Sequence, residues 1–225
     1  MKFFTALTWA SCYNCGQSWH YLCPLCIPTL NIYDWFDYVS KQASSNFFVD
    51  KKYLDNFPIE QVVVLTHYHQ KWVRKLLRHA KFYGKHQAYR DIIIPYWDFF
   101  RKYIENQNTV FIPVPLHFFR KWKRGFNQSE KIAKILSSIT GIETHNTLLY
   151  RKKYTIHQSK LSKSERQVML QNAFYISKSI SNISKDTVIY LIDDVISSWS
   201  TLIECAKTLR IAGFTQVRAV VLASD

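Results

Sequence analysis

The chain has 225 residues, of which 48% are hydrophobic and 16% aromatic. That excludes a disordered chain and allows one good-sized core, or a small module beside a larger domain. Its 30 Lys and Arg against 16 Asp and Glu leave a formal charge of +14, a surface that draws nucleic acid, anionic lipid or phosphorylated metabolites. No apolar run reaches the length of a membrane span. The apolar start behind the single Lys2 is too short for an export signal, so a cytoplasmic chain without a membrane span is expected.

Residues 1–30 form a cysteine-rich head. Cys12, Cys15, Cys23 and Cys26 stand as two C-x2-C knuckles separated by seven residues, a spacing that places four thiolates around one tetrahedral Zn²⁺. The loops are too short to bury a core, so the metal would supply folding energy. Two disulfides are the alternative, disfavoured in an intracellular chain. Residues 31–60 are aromatic and polar with weak periodicity and read as a connector. The fifth cysteine, Cys205, falls on an apolar helical stripe and is assigned to the core.

From residue 61 to 225 the pattern becomes alternating. Gln61 to Leu65 predicts a strand. Lys71 to Phe82 predicts a helix, with Trp72, Val73, Leu76, Leu77 and Ala80 at helical spacing. Val110 to Val114 predicts a second strand. A helix follows, opened by a capping box of Asn127 with Glu130 and ended by Gly141. Its stripe is Ile132, Ile135, Leu136 and Ile139. Ser177 to Lys185 is a polar linker, Val188 to Ile192 a buried strand, Leu202 to Leu209 a helical stripe before Gly213, and Val217 to Leu222 a last strand. Alternating strands and helices imply a parallel sheet with right-handed crossovers. Ligands of such sheets bind at the strand C-terminal ends, which puts Asp193 and Asp194 in the site.

Those two acids open the most informative stretch. An apolar run ends in Asp193-Asp194; then come Val195-Ile196, Ser197, Ser198, Trp199, Ser200 and Thr201 before a helix. Free amides at a helix start accept phosphate, and carboxylates reach ribose hydroxyls or a hard cation. A second anion site lies in Arg120, Arg124 and Gly125, where a strand end and a basic turn lead into Phe126-Asn127-Gln128-Ser129; Arg grips phosphate in a bidentate way. Basic residues with interleaved aromatics suit sequence-tolerant single-strand binding. The alternative is a solvated cationic face with its aromatics, Phe82, Tyr83, Phe118, Phe119 and Trp122, in the core.

The acid loop resembles the 5-phosphoribosyl-1-pyrophosphate (PRPP) loop of type I phosphoribosyltransferases at every specified position but one. The whole chain resembles the ComF family: the four-cysteine head, Val73-Arg74-Lys75-Leu76-Leu77 with Lys81 and Gly84, then Pro113-Val114-Pro115-Leu116. Arg124-Gly125-Phe126-Asn127-Gln128 follows, then Gln158, Leu161, Arg166, Asn172 and Phe174, the acid pair, and Ala212-Gly213 with Val217. The resemblance implies an α/β type I phosphoribosyltransferase-like domain, a parallel sheet flanked by helices, with a small N-terminal zinc module. It also implies a cytoplasmic role in handling imported single-stranded DNA during natural transformation, with a DNA-uptake translocase as a partner. Implied ligands are structural Zn²⁺ and Mg²⁺ with PRPP on Asp193, Asp194, Ser197, Ser198, Trp199, Ser200 and Thr201. The DNA contacts are assigned to Lys81, Lys121, Lys123, Arg124 and Arg166. The alternative is an active phosphoribosyltransferase of nucleobase salvage.

The departing position is Trp199, where the loop motif has glycine. Glycine lets amides approach a phosphate closely and often at positive φ. Two readings compete. Either the site is altered and PRPP binding weakened, or a UGA codon for glycine has been translated as tryptophan. The chain's 5 Gly and 7 Trp invert usual usage, in which Gly alone is about 7%.

Overall fold

The computed structural model describes residues 58–101, 104, 107–152, 172–177, 183–197 and 199–224. The four cysteines of the head, Arg166 and Ser198 lie outside the described residues, as do the side chains of Arg120 and Lys123 on their helix.

Five strands form one sheet in the order β1-β7-β6-β2-β3, and every neighbouring pair is parallel. They are β1 (Val62–His67), β2 (Thr109–Pro113), β3 (Glu143–Thr144), β6 (Val188–Ile196) and β7 (Val217–Ser224). A small antiparallel pair, β4 (Leu149–Arg151) and β5 (Phe174–Ile176), stands apart. The expected parallel α/β order is thus borne out. Val188 to Ile192 and Val217 to Ala223, except Arg218, are buried, as central parallel strands covered on both faces must be.

Five helices flank the sheet: α1 (Lys71–Tyr83), α2 (Gln87–Phe100), α3 (Phe118–Arg124), α4 (Gln128–Thr140) and α5 (Ser200–Ile211). α1 buries Val73, Leu76, Leu77 and Ala80 and ends at Gly84, whose φ of +65° favours glycine. α4 buries Ile132, Ala133 and Leu136. α5 buries Leu202, Cys205, Ala206 and Leu209, which confirms Cys205 as core. The core reaches back to Ile59, and the Glu60 amide bonds to the Val217 carbonyl.

Three elements depart from expectation. The stretch after Gly84 is the helix α2, which sets Ala88, Tyr89, Ile92 and Ile93 into the core and continues past Pro95. The basic turn after Pro115 is itself a short helix, α3, with the His117 imidazole accepting from the Phe119 amide. The capping box is only half made. Asn127 accepts from the Ser129 amide, but Glu130 takes the Lys121 ammonium at 2.7 Å instead of reaching back to the cap.

Candidate functional site

β2 stops at Pro113 while β6 runs on to Ile196, still paired with β7. Even-numbered residues of β6 face β2: the Val188 amide takes the Asn108 carbonyl and the Ile192 carbonyl takes the Val114 amide. Asp194 faces the same way, past the end of β2, so its amide has no ladder partner there. It donates instead to Asp193 Oδ1 at 2.9 Å. The strand mismatch therefore opens a notch at the C-terminal end of the sheet, and the two acids line it.

The start of α4 fills the notch from the other side. Asn127, wedged by its amide donating to the Val114 carbonyl at 3.0 Å, sets the next two residues over the acids. Ser129 Oγ donates to Asp193 Oδ1 at 3.0 Å. Gln128 Nε2 lies 3.5 Å from Asp194 Oδ2. The sequence segments Arg124 to Ser129 and Tyr190 to Asp194 thus meet in one place, as two halves of one site. Neither Gln128 nor Ser129 was singled out as a partner of the acids from sequence.

Lys81 completes the arrangement. Its ammonium sits 3.0 Å from Asp194 Oδ2, so this residue, expected among the DNA contacts, faces the acid pair. Asp194 is buried and Asp193 half-buried. Burial, then the Asp194 charge beside it, raises the Asp193 carboxyl to about 7, against the weaker pull of its hydrogen bonds and of Lys81. Tyr89 is driven far up as well, by burial first and then by Asp194, with Arg124 opposing. Its hydroxyl and Gln128 Oε1 are buried without a hydrogen-bond partner among the described residues. His86 lines the same wall, edge-on to Phe126 with ring centroids 4.4 Å apart; burial, then Lys131, lowers its basicity.

Beyond the acids the chain turns into α5. Ser197 is exposed, and Ser200 and Thr201 are half-buried in its first turn. Trp199 has φ −64° and ψ −15°, a right-handed conformation open to any residue. The tryptophan therefore sits at position 199 without positive-φ strain. Its indole packs on the core. Gly125 does adopt a left-handed φ of +81° as the cap of α3.

The aromatics named with the basic surface are outside the core. Phe82, Tyr83, Phe118, Phe119 and Trp122 are all exposed, Trp122 at 77%. The Arg124 guanidinium lies 5.9 Å from the Phe82 ring centroid, joining the end of α1 to the end of α3. Lys121, paired with Glu130, stands beside them. No group of three or more His, Cys, Asp or Glu among the described residues is placed to hold a metal ion. No described helix is long and apolar enough to cross a membrane.

Fold and site together define an α/β protein with a parallel five-stranded sheet and an acid pair at the C-terminal end of a central strand. No protein-family model matches the chain. It is similar to competence protein F of Haemophilus influenzae (39% identical over 107 residues, 48% of this chain and 46% of that protein). It is also similar to the DNA utilization protein YhgH of Escherichia coli K12 (32% over 98 residues, 44% and 41%). Competence protein ComFC of Bacillus subtilis is 27% identical over 154 residues, 65% of this chain and 60% of that protein. These homologues bear out the resemblance to the ComF family, and the chain matches less than two thirds of the length of each.

Proposed function

We propose that this protein handles single-stranded DNA and carries a phosphoribosyl site on its acid pair. One observation carries the reading. Across the last turn of α1, Lys81 turns in to Asp194 while Phe82 and Tyr83 stand in solvent, bridged through Arg124 to the exposed aromatics of α3. A small-ligand notch and a cationic, aromatic surface thus share one edge of the fold. Rings that no core claims, set among cations, are what sequence-tolerant strand binding uses. The names of the relatives, competence and DNA utilization, agree with it.

In the notch, Asp193 and Asp194 would take the ribose diol of PRPP. Ser197, Ser198, Ser200, Thr201 and the amides around Trp199 would take the 5′-phosphate at the start of α5. Arg120, Arg124 and Gly125 would serve the pyrophosphate. The donor set fits a hard cation that brings its own ligands: two carboxylates are present and no cluster of three acids or imidazoles is gathered among the described residues, so Mg²⁺ would complete its shell with pyrophosphate oxygens and water. The buried Gln128 Oε1 and Tyr89 hydroxyl offer further polar atoms at the same wall. Residues 1–30 would form a Zn²⁺ module on Cys12, Cys15, Cys23 and Cys26, followed by the connector. A cytoplasmic setting beside an uptake translocase completes the reading.

Two titrations test it. A labelled oligo-dT should bind with an affinity that falls steeply with salt, and Arg124→Glu should weaken it. Calorimetry should show Mg²⁺-dependent PRPP binding that Asp193→Asn abolishes. Absence of DNA binding at low salt sinks the first half; PRPP binding indifferent to Asp193→Asn sinks the second.

A further inference from the structure

α1 carries two stripes besides its buried one. At about 100° per residue, Lys71, Arg74, Lys75 and Arg78 fall at i, i+3, i+4 and i+7, centred opposite Val73, Leu76, Leu77 and Ala80. All four are exposed. Trp72, His79 and Tyr83 fall at i, i+7 and i+11, about a quarter-turn round from the cations. These seven residues line one open groove of about 640 Å³. The His79 and Tyr83 ring centroids are 5.0 Å apart at 41°, so the ring stripe is continuous at its C-terminal end. It ends at Tyr83 beside Phe82, where the aromatics of α3 join through Arg124.

The helix contains no acidic residue. The field is felt by His79, whose basicity is lowered by partial burial and then by Lys75, Arg78 and Lys85. Lys81, about 80° from the centre of the cationic stripe, is excluded from it by its ion pair with Asp194. A solvated face kept only for solubility explains the charges but not a ring stripe laid parallel to them. A membrane surface would meet cations and apolar tips together, whereas here rings and charges form separate stripes about a quarter-turn apart on the helix.

We infer that the outer face of α1 is the track for a single nucleic-acid strand, its phosphates on the Lys71, Arg74, Lys75 and Arg78 stripe and its bases against Trp72, His79 and Tyr83. This rests on the DNA-handling reading above and locates the strand within it. α1 spans about 18 Å from Lys71 to Tyr83, long enough for several nucleotides before the α3 aromatics continue the path.

The test compares the full chain with the triple variant Lys71→Gln, Arg74→Gln, Arg78→Gln, and separately with Tyr83→Ala. All four residues are exposed, so the fold should survive, checked by an unchanged melting temperature. Binding of a labelled oligo-dT of about 20 nucleotides is followed between about 50 and 200 mM salt. The triple variant should lose about 10-fold or more in affinity, and its log–log salt slope should fall by about 2, three phosphate contacts at about 0.7 each. Tyr83→Ala should cost about 10-fold on oligo-dT with little change on a duplex. If the parent binds no oligo-dT, the DNA-handling reading itself fails. If the parent binds and the triple variant keeps its slope, the track lies elsewhere. Equal loss on duplex and single strand in Tyr83→Ala, or tighter binding to anionic vesicles than to oligo-dT, overturns the single-strand assignment.

Discussion

Replacing Asp193 by Asn should stabilise this protein at neutral pH and leave it unchanged in acid. Both hydrogen bonds of Asp193 arrive at Oδ1, from Ser129 Oγ at 3.0 Å and from the Asp194 amide at 2.9 Å. An Asn Oδ1 accepts both, so the change removes the charge and little else. The carboxyl is raised from 3.8 to about 7 on folding, by burial and then by Asp194. Its proton is on in both states below about pH 4. Between about pH 4 and 7 the unfolded chain releases it and the folded chain keeps it, so stability falls as pH rises through that window. Above pH 7 the whole cost remains. At about 1.4 kcal/mol per unit the shift corresponds to about 4 kcal/mol; solvent reaching the half-buried carboxylate screens most of that, leaving about 1–2 kcal/mol. For a chain of this size that is a rise of about 3–6 °C in Tm at pH 8. Thermal melts of both proteins at pH 4.5 and 8, without added divalent cation, decide it. A loss of stability at pH 8, or an equal gain at both pH values, would refute the reasoning.

Lys81→Met removes the cation facing the pair and should lower Tm at pH 8 by about 2–4 °C, the loss of about 1 kcal/mol. Combined with Asp193→Asn the loss should shrink, since only one carboxylate then remains; a double-mutant cycle of melts reads the coupling. Purified protein should carry about one Zn²⁺ per chain, and Cys12→Ser or Cys26→Ser should release it. Metal-free protein with the four cysteines oxidised would exclude the zinc module.

The parallel core was legible because its strands are covered on both faces. Val62 to Leu65, Val110 to Val114 and Val188 to Ile192 are unbroken apolar runs, and each became a buried strand. The acids at the end of the third run followed from the rule that such sheets bind at their C-terminal edge. α2 carries a signal in Ala88, Tyr89, Ile92 and Ile93, at i, i+1, i+4 and i+5, masked in the sequence by Pro95, a residue that usually ends or kinks a helix. α3 is only seven residues long, too short for its Phe118, Phe119 and Trp122 at i, i+1 and i+4 to stand out as a stripe, and these rings face solvent rather than a core. Charge sign could not separate Lys81 from its basic neighbours. Its angular position could: it lies about 40° from Leu77 on the helix wheel, at the margin of the buried face, whereas Arg74, Lys75 and Arg78 lie outside it.

Trp199 brings conformation and chemistry into one test. A glycine in a phosphate loop is needed either for a left-handed φ or for room above the amides. At φ −64° the tryptophan carries no left-handed strain; the question of room remains, because an indole still stands in the loop. That indole is half-buried and packs on the core, so it also contributes to stability, about 1–2 kcal/mol at the usual worth of partly covered apolar surface. Trp199→Gly is therefore expected to lower Tm by about 3–6 °C and to tighten PRPP binding by less than about 10-fold, below the ~1.4 kcal/mol that strain and obstruction together would give. Calorimetry with PRPP and Mg²⁺, beside a thermal melt of each form, measures both. A glycine variant as stable as its parent and binding PRPP more than about 10-fold tighter would mean that the loop is built for glycine and that the tryptophan is foreign to it.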